Sequence, residues 1–107
     1  MSKTKFLFVC TLNLQRSPTA ESLFENHEKF EAKSAGTDTF AVKPISKQVI
    51  EWANIIFCME NIHKNFIIEN FPEAKNKEII NLNIPDIYYR GDSKLIKVLK
   101  DKLKEYL

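Results

Sequence analysis

The chain has 107 residues, 44% of them hydrophobic and 28% charged, a composition that excludes disorder and suits a single globular domain spanning 1–107. Sixteen basic against fourteen acidic residues leave a net charge of only +2 with no concentrated patch, which gives no case for nucleic acid as a partner. The apolar runs are too short for a membrane span or a secretion signal, and two cysteines 48 positions apart form neither a disulfide framework nor a zinc cluster, so a reduced, cytoplasmic protein is expected.

Phe6-Leu-Phe-Val-Cys10 is a continuous apolar run of the kind found in strands buried on both faces. Ser17-Pro18 predicts a helix start, with Ser as cap and Ala20, Leu23, Phe24 and His27 on one face. Phe30 to Ala35 reads as a second strand ended by Gly36, and Ser46 as the cap of a short helix bearing Val49, Trp52 and Ala53. Ile55 to Cys58 is a third strand. Ile62, Phe66 and Ile67 mark a helix that stops near Pro72, and Glu78 to Leu82 is a fourth strand. Asp92 then caps a last helix with the stripe Leu95, Leu99, Leu103 and Tyr106 and a solvated lysine face.

Strands alternating with helices predict an α/β three-layer sandwich: a four-stranded parallel sheet in order 2-1-3-4, with a phosphate-binding loop after strand 1. In such sheets ligands bind beyond the carboxyl ends of the strands, beside strand 1. Rare residues sharpen the search. The basic residues comprise fourteen Lys and two Arg, and the only glycines are Gly36 and Gly91.

One of the two arginines stands in the loop after strand 1, which reads Cys10-Thr11-Leu12-Asn13-Leu14-Gln15-Arg16-Ser17-Pro18. A cysteine at a strand end is by itself most often a small core residue. Here five residues and an arginine follow it into a helix start. Loop amides can form an anion cradle there, backed by the helix dipole, while Arg16 clamps two phosphate oxygens. A thiol in such a bowl is favoured as thiolate, which makes it a nucleophile beneath a bound tetrahedral anion. Ser17 could hydrogen-bond the departing sulfur.

The motifs Val9-Cys10, Asn13, Arg16-Ser17-Pro18, Ala20-Glu21, Ser34-Ala35-Gly36, Ile56-Phe57-Cys58-Met59 and Asp86-Ile87-Tyr88-Tyr89 together resemble the low-molecular-weight protein tyrosine phosphatases, most closely a short bacterial branch of predicted tyrosine phosphatases. The resemblance spans nearly the whole chain. It implies Cys10 as nucleophile, Arg16 as phosphate clamp and Asp86 as general acid and then base. Thr11, Leu12, Asn13, Leu14 and Gln15 would supply loop amides, with Asn13 in a left-handed turn, Ser17 assisting the thiolate and Tyr88 beside the substrate ring. The expected substrate is a phosphotyrosine protein or a small aryl phosphate, handled by a monomer without cofactor or metal. The chain departs from the family in a shortened segment between Gly36 and Ile45, in Leu12 where glycine is common, in Gln15 where a second cysteine is frequent, and in Ile87 where the acid loop usually has proline.

Other residues have plainer readings. Asp92 competes with Asp86 but stands where a helix cap belongs. Tyr89 and Phe40 could wall the pocket, His27 and His63 read as half-buried packing residues, and Cys58 as inert core. A phosphocysteine phosphocarrier of a sugar phosphotransferase system is the main alternative, since it shares the layout and a cysteine after strand 1, but its loop lacks the arginine. A thioredoxin-coupled arsenate reductase would need two further cysteines, and a weak phosphate-binding relic is the remaining reading.

Overall fold

The computed structural model describes residues 2–107. Four strands, β1 (Thr4–Cys10), β2 (Phe30–Gly36), β3 (Ile55–Cys58) and β4 (Glu78–Asn81), form one parallel sheet in the order β2-β1-β3-β4. The order is the one the alternation predicts. It puts β1 in the middle with neighbours on both sides, which is why its apolar run is continuous: Phe6 to Val9 are fully buried.

Alternate side chains of β1 feed two cores. Phe6, Phe8 and Cys10 face helices α1 (Arg16–Ser22) and α4 (Ser93–Leu103), where they join Phe24, Phe57, Leu95, Leu99 and Leu103. Phe8 stacks on Phe57 at 5.3 Å and Phe6 meets Phe24 edge-on at 5.4 Å, contacts that contribute about 0.5–1.5 kcal/mol each beyond simple burial. Leu7 and Val9 face α2 (Lys47–Trp52) and α3 (Asn61–Asn70) with Ile50, Ala53, Ile56 and Ile67. Cys10 therefore ends β1 on the face of α1, the helix that its own loop enters.

Two helix boundaries differ from the sequence reading. α1 begins at Arg16, its cap position is Gln15, and Ser17 does not cap it. The Ser17 hydroxyl is turned inward instead, 2.9 Å from Cys10 Sγ, and Pro18 is tolerated as the third helical residue because that amide has no partner in the helix. α1 also stops at Ser22, before the apolar stripe does. Leu23 and Phe24 continue into the core from a turn, Asn26 reverses the chain at φ 56°, and His27 Nδ1 accepts from the amides of Lys29 and Phe30 at 3.0 and 3.3 Å. Ser46 caps α2 by accepting from Val49 N at 3.2 Å, and Asp92 caps α4 by accepting from Lys94 N at 2.8 Å, both as the sequence implies.

Among the described residues, no helix is long and apolar enough to cross a membrane, and no three His, Cys, Asp or Glu side chains cluster as metal ligands would.

Candidate active site

The loop 11–15 is shaped by what holds its carbonyls. The segment 37–42 after β2 folds back beneath it: Thr37 N donates to Cys10 O at 3.0 Å, Asp38 N to Thr11 O at 3.0 Å and Val42 N to Leu12 O at 3.1 Å. In a trans peptide the N–H points opposite to the C=O, so the amides of Thr11, Leu12 and Asn13 are directed away from that segment. Among the described residues, the amides of Leu12, Asn13, Leu14 and Gln15 meet no acceptor of the chain. Gly36 makes the approach possible, because a Cβ there would lie 2.5 Å from both Thr11 O and Ala41 Cβ. Asn13, at φ 57°, takes the left-handed turn that closes the loop.

The loop opens onto a cavity of about 430 Å³ lined by Cys10, Thr11, Leu12, Leu14, Gln15, Arg16, Asp86, Ile87, Tyr88 and Tyr89. Asp86, distant in sequence, thus shares one bowl with Cys10 and Arg16 of the loop. Arg16 is 2% exposed; its Nη1 donates to Ile84 O at 2.8 Å and to the Glu60 carboxylate, and its Nε lies 3.7 Å from Asp86 Oδ1. Asp86 itself is 64% exposed at the rim. The loop that carries Asp86 is tied down beyond it as well: Gln15 Oε1 accepts from Arg90 N at 2.6 Å, and Thr19 Oγ1 from Gly91 N at 2.9 Å. All four of the rare Arg and Gly residues therefore stand at this edge of the sheet.

Asn13 takes the left-handed turn and the Ser17 hydroxyl lies 2.9 Å from Cys10 Sγ, as the resemblance implies; both side chains are buried behind the loop and do not line the bowl, and Asn13 Nδ2 donates to Ser17 Oγ at 2.8 Å and to Ser34 Oγ at 2.9 Å. Phe40 is 90% exposed and lies outside the cavity wall, because its segment is hydrogen-bonded to the underside of the loop. Tyr88 packs partly into the core while Tyr89 stands in solvent, and both border the bowl. Cys58 is fully buried, and burial pushes its thiol up to about 12, as befits inert core.

Two residues of the site escaped the sequence reading. Glu60, the N-cap of α3, reaches Arg16; the available signal is a lone carboxylate two residues after a buried strand, at the ligand-binding edge. His63 is 1% exposed and is no packing residue: its Nδ1 accepts from Glu60 N at 3.0 Å and its Nε2 is 2.9 Å from Thr11 Oγ1. Burial, reinforced by the nearby Arg16 charge, lowers its pKa from 6.5 to about 4, so the ring is neutral and Nε2–H donates to the threonine.

Residues 5–55 match the family model described as low molecular weight phosphotyrosine protein phosphatase. A protein-arginine-phosphatase of Geobacillus stearothermophilus is 35% identical over 99 residues, covering 68% of this chain and 66% of the relative, so the chain spans just under two thirds of the curated relative it matches. Among solved structures, the YwlE arginine phosphatase of Geobacillus stearothermophilus has a TM-score of 0.65 at 31% identity, with 95% of this chain and 84% of that one covered. A protein tyrosine phosphatase from Entamoeba histolytica has a TM-score of 0.77 at 24% identity, covering 97% and 94%, and the tyrosine phosphatase Wzb from Escherichia coli K30 has 0.77 at 20%, covering 98% and 96%; these two likenesses speak to the fold.

Proposed function

The chain belongs to the low-molecular-weight phosphotyrosine protein phosphatase family, and on that premise we propose that it is a Cys-dependent phosphomonoesterase whose substrate is phosphotyrosine or a small aryl phosphate. The observation that carries the reading is the single bowl shared by Cys10, Arg16 and Asp86 above loop amides that the chain leaves free.

In this reading the phosphate oxygens take the amides of residues 11–15 and the edge of Arg16 that Glu60 and Ile84 O do not occupy. The Cys10 thiolate attacks phosphorus, the bond from phosphorus to the phenolic oxygen breaks, and Asp86 gives its proton to the departing oxygen. Water then attacks the cysteinyl phosphate, the ionised Asp86 takes its proton, and phosphate leaves as the thiolate re-forms. The tethered acid loop supports the assignment, since it holds Asp86 beside the bowl without the proline usual in the family. Hydrolysis also accounts for the pairing of an arginine with an aspartate, which a phosphocarrier would not need. A cytoplasmic setting would keep the buried Cys10 and Cys58 as thiols.

The arginine-phosphatase relative raises a second reading, phosphoarginine as substrate. The wall favours the aryl ester. Leu12, Leu14, Ile87 and two tyrosines present apolar and aromatic surface, whereas a guanidinium would call for carboxylates and the bowl is lined by one, Asp86. The deciding experiment compares phosphotyrosine peptide, phosphoarginine peptide and p-nitrophenyl phosphate in EDTA, with and without vanadate. Preference for the aryl esters and inhibition by vanadate are expected. Preference for phosphoarginine would establish the second reading, and no hydrolysis at all would overturn both.

A further inference from the structure

Behind the loop a chain of hydrogen bonds runs from the nucleophile to the surface. Cys10 Sγ meets Ser17 Oγ at 2.9 Å, Asn13 Nδ2 donates to Ser17 Oγ and Ser34 Oγ, and Ser34 Oγ donates to Glu21 Oε1, which also accepts from Lys43 Nζ at 3.0 Å. The four inner members are at most 3% exposed, while Glu21 is half-buried and Lys43 exposed.

The donor direction along this chain follows from its outer end. An ionised carboxylate only accepts, so the Ser34 proton goes to Glu21 and the Ser34 oxygen must accept. That turns the Nδ2 side of Asn13 toward both serines. The second amide proton satisfies Ser17 Oγ, and the Ser17 proton is left for the Cys10 sulfur. The arrangement costs a hydrogen bond, because Asn13 Oδ1 is buried without a partner among the described residues. With the amide turned over, Oδ1 would compete for the Ser17 proton and the thiolate would lose its donor.

We propose that Glu21, which does not touch the bowl, is a positioning residue: its charge sets the direction of the Ser34–Asn13–Ser17 chain so that Ser17 donates to Cys10. The inference rests on the reading of Cys10 as nucleophile, but its test does not depend on turnover.

The test is the pH profile of Cys10 alkylation by iodoacetamide in the full chain, with the modified residue identified by peptide mass. Glu21→Gln can donate as well as accept, so the direction is no longer set. It should slow alkylation at pH 6 about tenfold, the loss of one hydrogen bond to a charged atom, with rates converging at alkaline pH where every thiol is ionised. The kcat for p-nitrophenyl phosphate should fall with KM little changed. Ser34→Ala should shift the profile in the same sense, and Glu21→Gln added to it should do nothing more. An unshifted profile in Glu21→Gln, or additive effects in the double variant, would overturn the proposal. A wild-type protein that alkylates as expected but hydrolyses no phosphate ester would instead count against the phosphatase reading alone.

Discussion

His63 Nε2 stands 2.9 Å from Thr11 Oγ1 and thereby joins the first turn of α3 to the residue after Cys10. The same imidazole accepts from Glu60 N, and Glu60 holds Arg16, so one buried ring links both ends of the loop. Gln and Asn each replace half of it: Gln can offer the donor near Nε2, Asn the acceptor near Nδ1. His63→Asn should lower kcat more than His63→Gln, and its effect should be lost in a Thr11→Val background, with a coupling of about 0.5–3 kcal/mol in a double-mutant cycle.

The buried neutral ring also makes stability depend on pH. In the unfolded chain it takes up a proton below 6.5, whereas in the fold it resists protonation down to about 4. Its contribution is therefore complete above pH 6.5, declines as pH falls from 6.5 to about 4 and is flat below that. The loss amounts to at most ~3 kcal/mol. Urea midpoints at pH 7.5 and pH 4.5 should converge in His63→Gln relative to the wild type; an equal acid sensitivity in both would show that the ring protonates freely in the fold.

Cys10→Ser should abolish turnover yet retain vanadate binding, measured by calorimetry, because the loop amides and Arg16 remain. Arg16→Lys should reduce kcat/KM roughly 100- to 1,000-fold, since a point charge reproduces neither the planar fork nor the simultaneous grip on Ile84 O and Glu60. Residual turnover near wild type in the serine variant would exclude a cysteinyl-phosphate.

Asp86 and Asp92 separate by leaving group. Asp86→Ala should slow phosphotyrosine hydrolysis roughly 100- to 10,000-fold, the range for one positioned acid, and p-nitrophenyl phosphate hydrolysis much less, because nitrophenolate departs without a proton. Asp92→Ala should leave both rates intact and lower stability by about 1 kcal/mol through the lost contact to Lys94 N. The reverse pattern in a series of aryl phosphates would move the acid to Asp92.

Gly36→Ala tests the underside of the loop. A methyl group 2.5 Å from Thr11 O must push the loop or the 37–42 segment aside. A stability loss of roughly 1–3 kcal/mol is expected, with phosphate affinity falling alongside it as the amides are turned. Unchanged affinity would mean that the cradle does not depend on that contact.

The layered fold, the strand order and the loop after β1 were legible in the chain because they rest on local patterns: apolar runs, Ser and Asp caps, and a cysteine and a rare arginine spaced across a strand-to-helix turn. Asp92 was legible as a cap for the same reason, since capping depends on the next few residues only, whereas Asp86 at the bowl came from the family resemblance. The end of α1 was not legible, because Leu23 and Phe24 keep helical spacing while reaching the core from a turn. Ser17 had two readings, as a helix cap and as a partner of the Cys10 sulfur, and the fold keeps only the second, because Asn13 and Cys10 enclose its hydroxyl. Glu60 and His63 lie more than forty residues from the atoms they hold, and the meeting of Glu21 with Ser34 depends on β2 lying beside β1. Which residues form elements is thus written in neighbouring side chains, while the orientation of hydrogen-bond donors around a buried loop is decided only when packing removes water and each polar atom must find its partner within the fold.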